Sequence, residues 1–113
     1  MMSHHEARQT LACMEARLRE TRHNLHELER SLREKAEAAA IESRPKARRY
    51  NRRMSNWTGL DEEAYLRFLG RLIDNAAADL DRLRRKVARQ DAAIEALRRK
   101  YRINTERPAY TPL

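Results

Sequence analysis

The sequence predicts an all-α protein in which two long helices form an antiparallel coiled-coil hairpin with a basic connector. Three observations support this fold class. The 113 residues include 2 glycines and 3 prolines, too few turn formers for a strand-rich fold. Charged residues make up 37% of the chain and aromatic residues 5%, a composition typical of long helices and coiled coils. Two segments also repeat apolar residues at alternating spacings of three and four.

The first helix is predicted over about residues 3–43. It begins at a capping-box motif, because Glu6 follows Ser3 by three residues. It ends at Arg44, since the residue before a proline is disfavoured in the α conformation. The predicted seam positions are Leu11, Met14, Leu18, Thr21, Leu25, Leu28, Leu32, Lys35 and Ala39.

The second helix is predicted over about residues 59–102. Thr58 is its expected N-cap, and Asp61, Glu62 and Glu63 suit the positive end of a helix dipole. A heptad pattern sustained over this length indicates a coiled coil. The predicted seam positions are Leu66, Leu69, Ile73, Ala76, Leu80, Leu83, Val87, Gln90, Ile94, Leu97 and Tyr101.

The two helices and the connector, residues 44–58, are expected to form a single domain over residues 1–103. The remaining segment, residues 104–113, contains Pro108 and Pro112 and is predicted to be an extended or disordered tail.

No catalytic, cofactor-binding or metal-binding residues are predicted. The chain has no glycine-rich phosphate loop, and its cysteine and histidines do not follow zinc-ligand spacing. His23 and His26 are three residues apart on one helical turn, but two exposed imidazoles are the simpler interpretation. The sequence therefore predicts a non-enzymatic protein without cofactors.

The compartment predicted from the sequence is the cytoplasm. No run reaches the roughly 18 apolar residues of a membrane span, and the first residues do not resemble a secretory signal. The single Cys13 excludes an internal disulfide and agrees with a reducing environment.

The net charge of +8 is concentrated in the connector. Residues 1–43 carry 7 basic and 8 acidic side chains, and residues 59–113 carry 12 and 9. Residues 44–58 carry 6 basic side chains and no acidic one. This clustering predicts a binding site for a partner of negative charge.

The candidate binding residues of the connector are Arg44, Lys46, Arg48, Arg49, Tyr50, Arg52 and Arg53. An acidic protein surface is one partner that they suit. Nucleic acid is another, because the cations could neutralise phosphates while Tyr50 stacks on a base. A solvated basic loop without a specific partner is the third interpretation.

A second candidate surface lies on the second helix. Tyr65, Phe68 and Leu72 fall outside the predicted seam, which would leave them as an apolar face. We expect such a face to bind a partner protein or a second copy of the chain, forming a homodimer.

One family resemblance is carried by the second half of the chain. The residues are Asn56-Trp57, then Tyr65-Leu66-Arg67-Phe68-Leu69, Leu72-Ile73, and Leu80 through Arg102. They resemble the second half of FliJ-type proteins, which include the YscO-like members of type III secretion systems. The resemblance implies a long antiparallel two-helix coiled coil that acts as the stalk of an export ATPase. Such a stalk enters the ATPase ring and contacts the export gate or substrate chaperones.

Together these features predict a non-enzymatic coiled-coil binding protein, a stalk, escort or adaptor in a larger assembly such as a type III export ATPase. The alternative is a small basic protein that uses the arginine-rich connector to bind nucleic acid or to act as a regulator or inhibitor.

Overall fold

A computed structural model of the chain describes residues 2–103, and this part of the chain forms three α-helices without a β-strand. Helix α1 covers His4–Ser43, α2 covers Gly59–Asn75 and α3 covers Ala77–Tyr101. The all-α prediction is confirmed. The tail predicted for residues 104–113 lies outside the described residues.

The single second helix predicted over residues 59–102 is instead two helices, which meet at Ala76. The backbone of Ala76 lies outside the α conformation, at φ −98° and ψ 6°. Its N–H still donates to the Leu72 carbonyl at 3.0 Å, and the Leu80 N–H donates to the Ala76 carbonyl at 2.9 Å. Asn75 is a weak helix former, and Asp79 supplies a new acidic first turn for α3. These two residues favour a break at this point.

The described helices belong to two compact units. Among the described residues, unit 1 combines residues 2–24 with residues 83–103, and unit 2 is Leu25–Arg82. Each unit has its own core and is described by itself below. The single-domain organisation of residues 1–103 stays a prediction.

Unit 1 pairs the first part of α1 with α3. Arg98 of α3 donates to the Glu15 carboxylate at 2.5 Å, and Arg22 lies 3.8 Å from Asp91. These contacts run in opposite order along the two helices, so the pairing in this unit is antiparallel. The core consists of Ala7, Leu11, Leu18, Ile94 and Ile103. The three of these that the heptad pattern predicted are Leu11, Leu18 and Ile94.

The first turn of α1 has the predicted capping box. The Glu6 N–H donates to the Ser3 hydroxyl at 3.1 Å, and the Ser3 N–H donates to the Glu6 carboxylate at 2.8 Å. The second of these bonds holds the pKa of Glu6 below its ordinary value.

Unit 2 has its core between the second part of α1 and α2. Ala36, Ala40, Ala64 and Tyr65 are buried, and Trp57, Phe68, Leu69 and Leu72 pack against them. The heptad pattern predicted Lys35 and Ala39 of α1 in the seam. The structure instead places their neighbours Ala36 and Ala40 in the core. Lys35 is exposed, while Ala36 is fully buried. A straight helix drifts relative to a strict heptad repeat, which moves the buried stripe by one residue over this distance.

The register predicted for α2 is confirmed only in part: Leu69 packs against the core as predicted, but two other seam positions do not. Leu66 is 53% exposed and Ile73 is 41% exposed, whereas Tyr65 is 2% exposed. The core-facing side of α2 therefore carries Tyr65, Phe68 and Leu72, which the heptad pattern placed outside the seam, together with Leu69 from the seam. The physical reason is that Ala36 and Ala40 leave space on α1 for a large aromatic side chain on the facing helix.

Candidate partner-binding loop

The basic loop, residues 44–58, is folded around the buried side chain of Asp61, the N3 residue of the α2 capping box. Arg44 Nε donates to Asp61 Oδ1 at 2.8 Å. Lys46 Nζ donates to Asp61 Oδ2 at 2.6 Å, and the Thr58 backbone N–H donates to the same oxygen at 2.8 Å. Two of the predicted binding cations, Arg44 and Lys46, thus have an acidic partner within the fold.

Asp61 is an anion in the folded protein at neutral pH. Burial by itself would raise the pKa of this carboxyl group. The hydrogen bonds from Lys46, from the Thr58 backbone and from Arg44 outweigh burial and hold the pKa of Asp61 well below its ordinary value. The loop is therefore tied to the start of α2 by a permanent negative charge.

Thr58 is the N-cap of α2, as predicted. Its hydroxyl accepts from the Asp61 N–H at 3.3 Å, while the Thr58 N–H is bound by the Asp61 side chain. This reciprocal arrangement satisfies donors that the first turn of a helix otherwise leaves without partners.

Replacing Thr58 by Ala should lower the free energy of unfolding by about 1 kcal/mol, because the cap hydroxyl is lost. Urea unfolding followed by circular dichroism at 222 nm measures this change. Thr58→Ser keeps a hydroxyl and should stay within about 0.5 kcal/mol of the wild type. Equal losses in the two variants would contradict a capping role.

Tyr50 is a core residue of the basic loop. Its side chain is 4% exposed, and its hydroxyl donates to the Arg44 carbonyl at 2.6 Å. The ring centroid lies 5.8 Å from that of Trp57, and Lys46 Nζ lies 4.2 Å from the Tyr50 centroid. The ring is thus covered by its neighbours, and a base cannot stack on it in this conformation.

Arg52 is the third predicted cation that the fold uses. Its Nε and Nη2 atoms donate to the two oxygens of Glu62 at 2.9 and 2.6 Å, a bidentate pair. Its guanidinium carbon lies 4.1 Å from the ring centroid of Tyr65. Glu62 also accepts from Trp57 Nε1 at 2.9 Å. The bonds from Arg52 and then from Trp57 lower the pKa of Glu62, although burial opposes them.

The other three cations of the loop, Arg48, Arg49 and Arg53, are exposed. Their side chains form no hydrogen bond or ion pair with any residue in the range 2–103. Arg48 and Arg49 border an open groove of about 430 Å³. Its other lining residues are Ile41, Pro45, Lys46, Tyr50 and Asn51. Two of the three cations without ion pairs thus border a partly apolar surface.

Two exposed apolar side chains lie in or just after the basic loop in the sequence. Met54 follows Arg53 and is 42% exposed, and Leu60 in the first turn of α2 is 58% exposed. The loop region therefore offers apolar contacts as well as charge.

The apolar face predicted on the second helix does not form an exposed surface. Tyr65 is buried, and Phe68 and Leu72 are half-buried against the same core of unit 2. The structure therefore places this face inside the unit. The residues that sequence reasoning missed are Asp61, Glu62 and Trp57, which hold the loop. Their sequence signal is modest: Asp61 and Glu62 are the first acidic residues after the run of six cations.

Metal ligands do not cluster in the part of the chain that the structure describes, where no group of three or more candidate side chains comes together. His23 and His26 are both exposed on α1. None of the helices described combines the length and the apolar character that crossing a membrane requires.

Comparison with models of known protein families gave no match, and comparisons with curated proteins and with solved structures gave none either.

Proposed function

We propose that the chain is a non-enzymatic helical binding protein, a cytoplasmic stalk, escort or adaptor whose helices pair as an antiparallel coiled-coil hairpin. It binds an acidic surface of a partner protein through Arg48, Arg49 and Arg53. The observation that supports this proposal is that the six cations of the basic loop fall into two groups, one bound within the fold and one exposed. Arg44, Lys46 and Arg52 hold the loop in place, while the other three cations are exposed without acidic partners.

The surroundings of the three arginines favour a protein over a nucleic acid. Binding of single-stranded nucleic acid commonly uses an aromatic ring on which a base stacks. The one aromatic residue between the arginines, Tyr50, is buried. Exposed Met54 and Leu60 suit a protein interface, in which arginine and apolar side chains are combined.

A type III export ATPase is the assembly that we propose as the example, on the basis of the resemblance carried by residues 56–102. In this proposal the basic loop would bind an acidic surface of the ATPase ring.

The experiment begins with a partner captured from host extract in the presence of nuclease and then purified. Binding of this partner is titrated by calorimetry against the wild type and against a variant with Arg48→Glu, Arg49→Glu and Arg53→Glu. Three reversed charges should weaken binding at least about tenfold and flatten its salt dependence. The matched control carries Arg8→Glu, Arg17→Glu and Arg19→Glu on α1, which change the net charge equally. The control should bind as the wild type does.

The nucleic-acid alternative is tested on the same variants with a labelled 20-nucleotide single-stranded DNA. A partner that is captured from host extract only when nuclease is omitted, together with DNA binding that requires the three loop arginines, would replace the protein proposal by the alternative. Unchanged partner binding by the loop variant would remove the loop from the interface.

A further inference from the structure

The side of α2 that faces away from the core of unit 2 carries an apolar stripe. Leu66 and Ile73 are 53% and 41% exposed, although both are large aliphatic side chains. Gly70 lies between them in the sequence, and a Cβ atom built on it would meet nothing within 4 Å. Spacings of four and three residues bring these positions to one side of a helix. The stripe therefore has a shallow centre at Gly70, where another backbone can approach closely.

The charged side chains beside this stripe would form ion pairs between two copies of α2 that pack antiparallel. Arg67 precedes Gly70 by three residues and Asp74 follows it by four, on the same flank of the helix. Both are exposed, and neither side chain has an ion pair or hydrogen bond with a residue among those described. A second α2 that crosses antiparallel at Gly70 brings each Arg67 to within about 1.5 Å, along the helix axis, of the level of the other copy's Asp74.

A two-fold axis repeats this contact, so that an antiparallel pair gains two Arg67–Asp74 ion pairs. A parallel pair would instead place these charges on opposite flanks of the contact, each level with its like, and would form neither ion pair. Of the other charged residues on α2, Arg71 covers the Phe68 ring with its guanidinium carbon 5.7 Å from the centroid. Glu63 would lie at the level of Ala77 of the second copy in this antiparallel pair.

We propose that this stripe binds a second copy of the chain, with two α2 helices antiparallel around Gly70. The side chains of Leu66 and Ile73 interdigitate across the axis, and the Arg67–Asp74 pairs fix the direction. Such a contact is isologous, because the same surface serves both copies. One helix crossing buries less area than a standard stable interface, so the dimer should be weak and should form in the micromolar to millimolar range. This inference does not depend on the proposed function of the basic loop.

The test is sedimentation equilibrium of the full chain from about 10 µM to about 1 mM. The wild type should pass from monomer to dimer within this range. Arg67→Asp alone and Asp74→Arg alone should each weaken association about tenfold, because each creates two repulsive pairs per dimer. The double variant with both substitutions restores opposite charges and should return to within about threefold of the wild type. Leu66→Ala with Ile73→Ala should abolish the dimer, while Arg17→Asp on α1 should leave it unchanged.

A mixture makes the test sharper. At a concentration at which the Arg67→Asp chain and the Asp74→Arg chain are each mainly monomeric alone, their mixture should form a dimer, since all four charges are then paired. A wild type that stays monomeric up to about 1 mM would overturn the proposal. So would a double variant that associates no better than the single ones. Dimerisation unaffected by Leu66→Ala and Ile73→Ala would place the contact elsewhere and would overturn the proposal equally.

Discussion

Replacing Tyr65 by Ala should lower the free energy of unfolding by about 3–5 kcal/mol, whereas replacing Leu66 by Ala should cost less than about 1 kcal/mol. Tyr65 is 2% exposed in the core of unit 2, and its ring lies 6.4 Å from that of Trp57. Truncation would remove these contacts and leave a cavity beside small alanines that cannot fill it. Leu66 is 53% exposed and contributes little to packing within the chain.

Urea unfolding of the two variants, followed by circular dichroism at about 5 µM to keep the chain monomeric, measures the difference. Tyr65→Phe is the control, because it keeps the ring that contacts Trp57 and Arg52 and should cost less than about 1 kcal/mol. The heptad register read from the sequence makes the opposite prediction, with Leu66 in the seam. A larger loss in the free energy of unfolding for Leu66→Ala than for Tyr65→Ala would support that register instead.

The contrast between Tyr65 and Leu66 leads to the question of where the heptad pattern alone predicts which residues are buried. In unit 1 the heptad pattern predicts Leu11, Leu18 and Ile94 in the core, and all three are buried. Thr21 and Gln90 interrupt the apolar pattern there, but neither a helix break nor contacts with the basic loop act on these segments, so the pattern specifies the buried side. The capping boxes at Ser3 and Thr58 are local as well, and both are present.

In unit 2 the pattern is not sufficient because two constraints act against it. The buried stripe of α1 drifts to Ala36 and Ala40, whose small side chains favour Tyr65 as the facing residue. The start of α2 is also held by contacts with the loop, and Asp61 must face Arg44 and Lys46. A heptad count contains neither constraint, since it treats each helix separately.

The candidate site shows the same limit. A count of charges finds all six cations of the basic loop and predicts a negatively charged partner. It cannot tell that Asp61 neutralises Arg44 from 17 residues away and Lys46 from 15 residues away, since these pairs arise only when the loop folds. It also treats Tyr50 as exposed, although its side chain is 4% exposed and its hydroxyl donates to the Arg44 carbonyl. The sequence thus identifies the basic loop as a candidate binding surface. The structure distinguishes the cations that hold the loop in place from those that are exposed without an acidic partner.

Replacing Asp61 by Asn should lower the melting temperature by about 10 °C. The amide keeps the size of the side chain but leaves Arg44 and Lys46 near each other without the anion that both of them bind. The loop should then detach from the start of α2, and trypsin should cleave after its arginines about tenfold faster than in the wild type. Asp79→Asn is the matched control, because Asp79 pairs with Arg82 where both side chains are more than half exposed. The control should shift the melting temperature by less than about 2 °C.

The pH dependence of this difference identifies the ionised carboxylate as its cause. The folded protein lowers the pKa of Asp61 from the ordinary value of 3.8. A lowered pKa stabilises the fold fully above the unfolded value, and the contribution is lost as the pH falls toward the folded value. The gap in melting temperature between the wild type and Asp61→Asn should therefore be constant from about pH 5 to 8 and should narrow below about pH 4. A gap that persists unchanged at pH 2.5 would mean that shape and hydrogen bonding, rather than the charge of Asp61, hold the loop. In that case Arg44 and Lys46 would not need a counter-ion from the fold and would join Arg48, Arg49 and Arg53 as cations available to a partner.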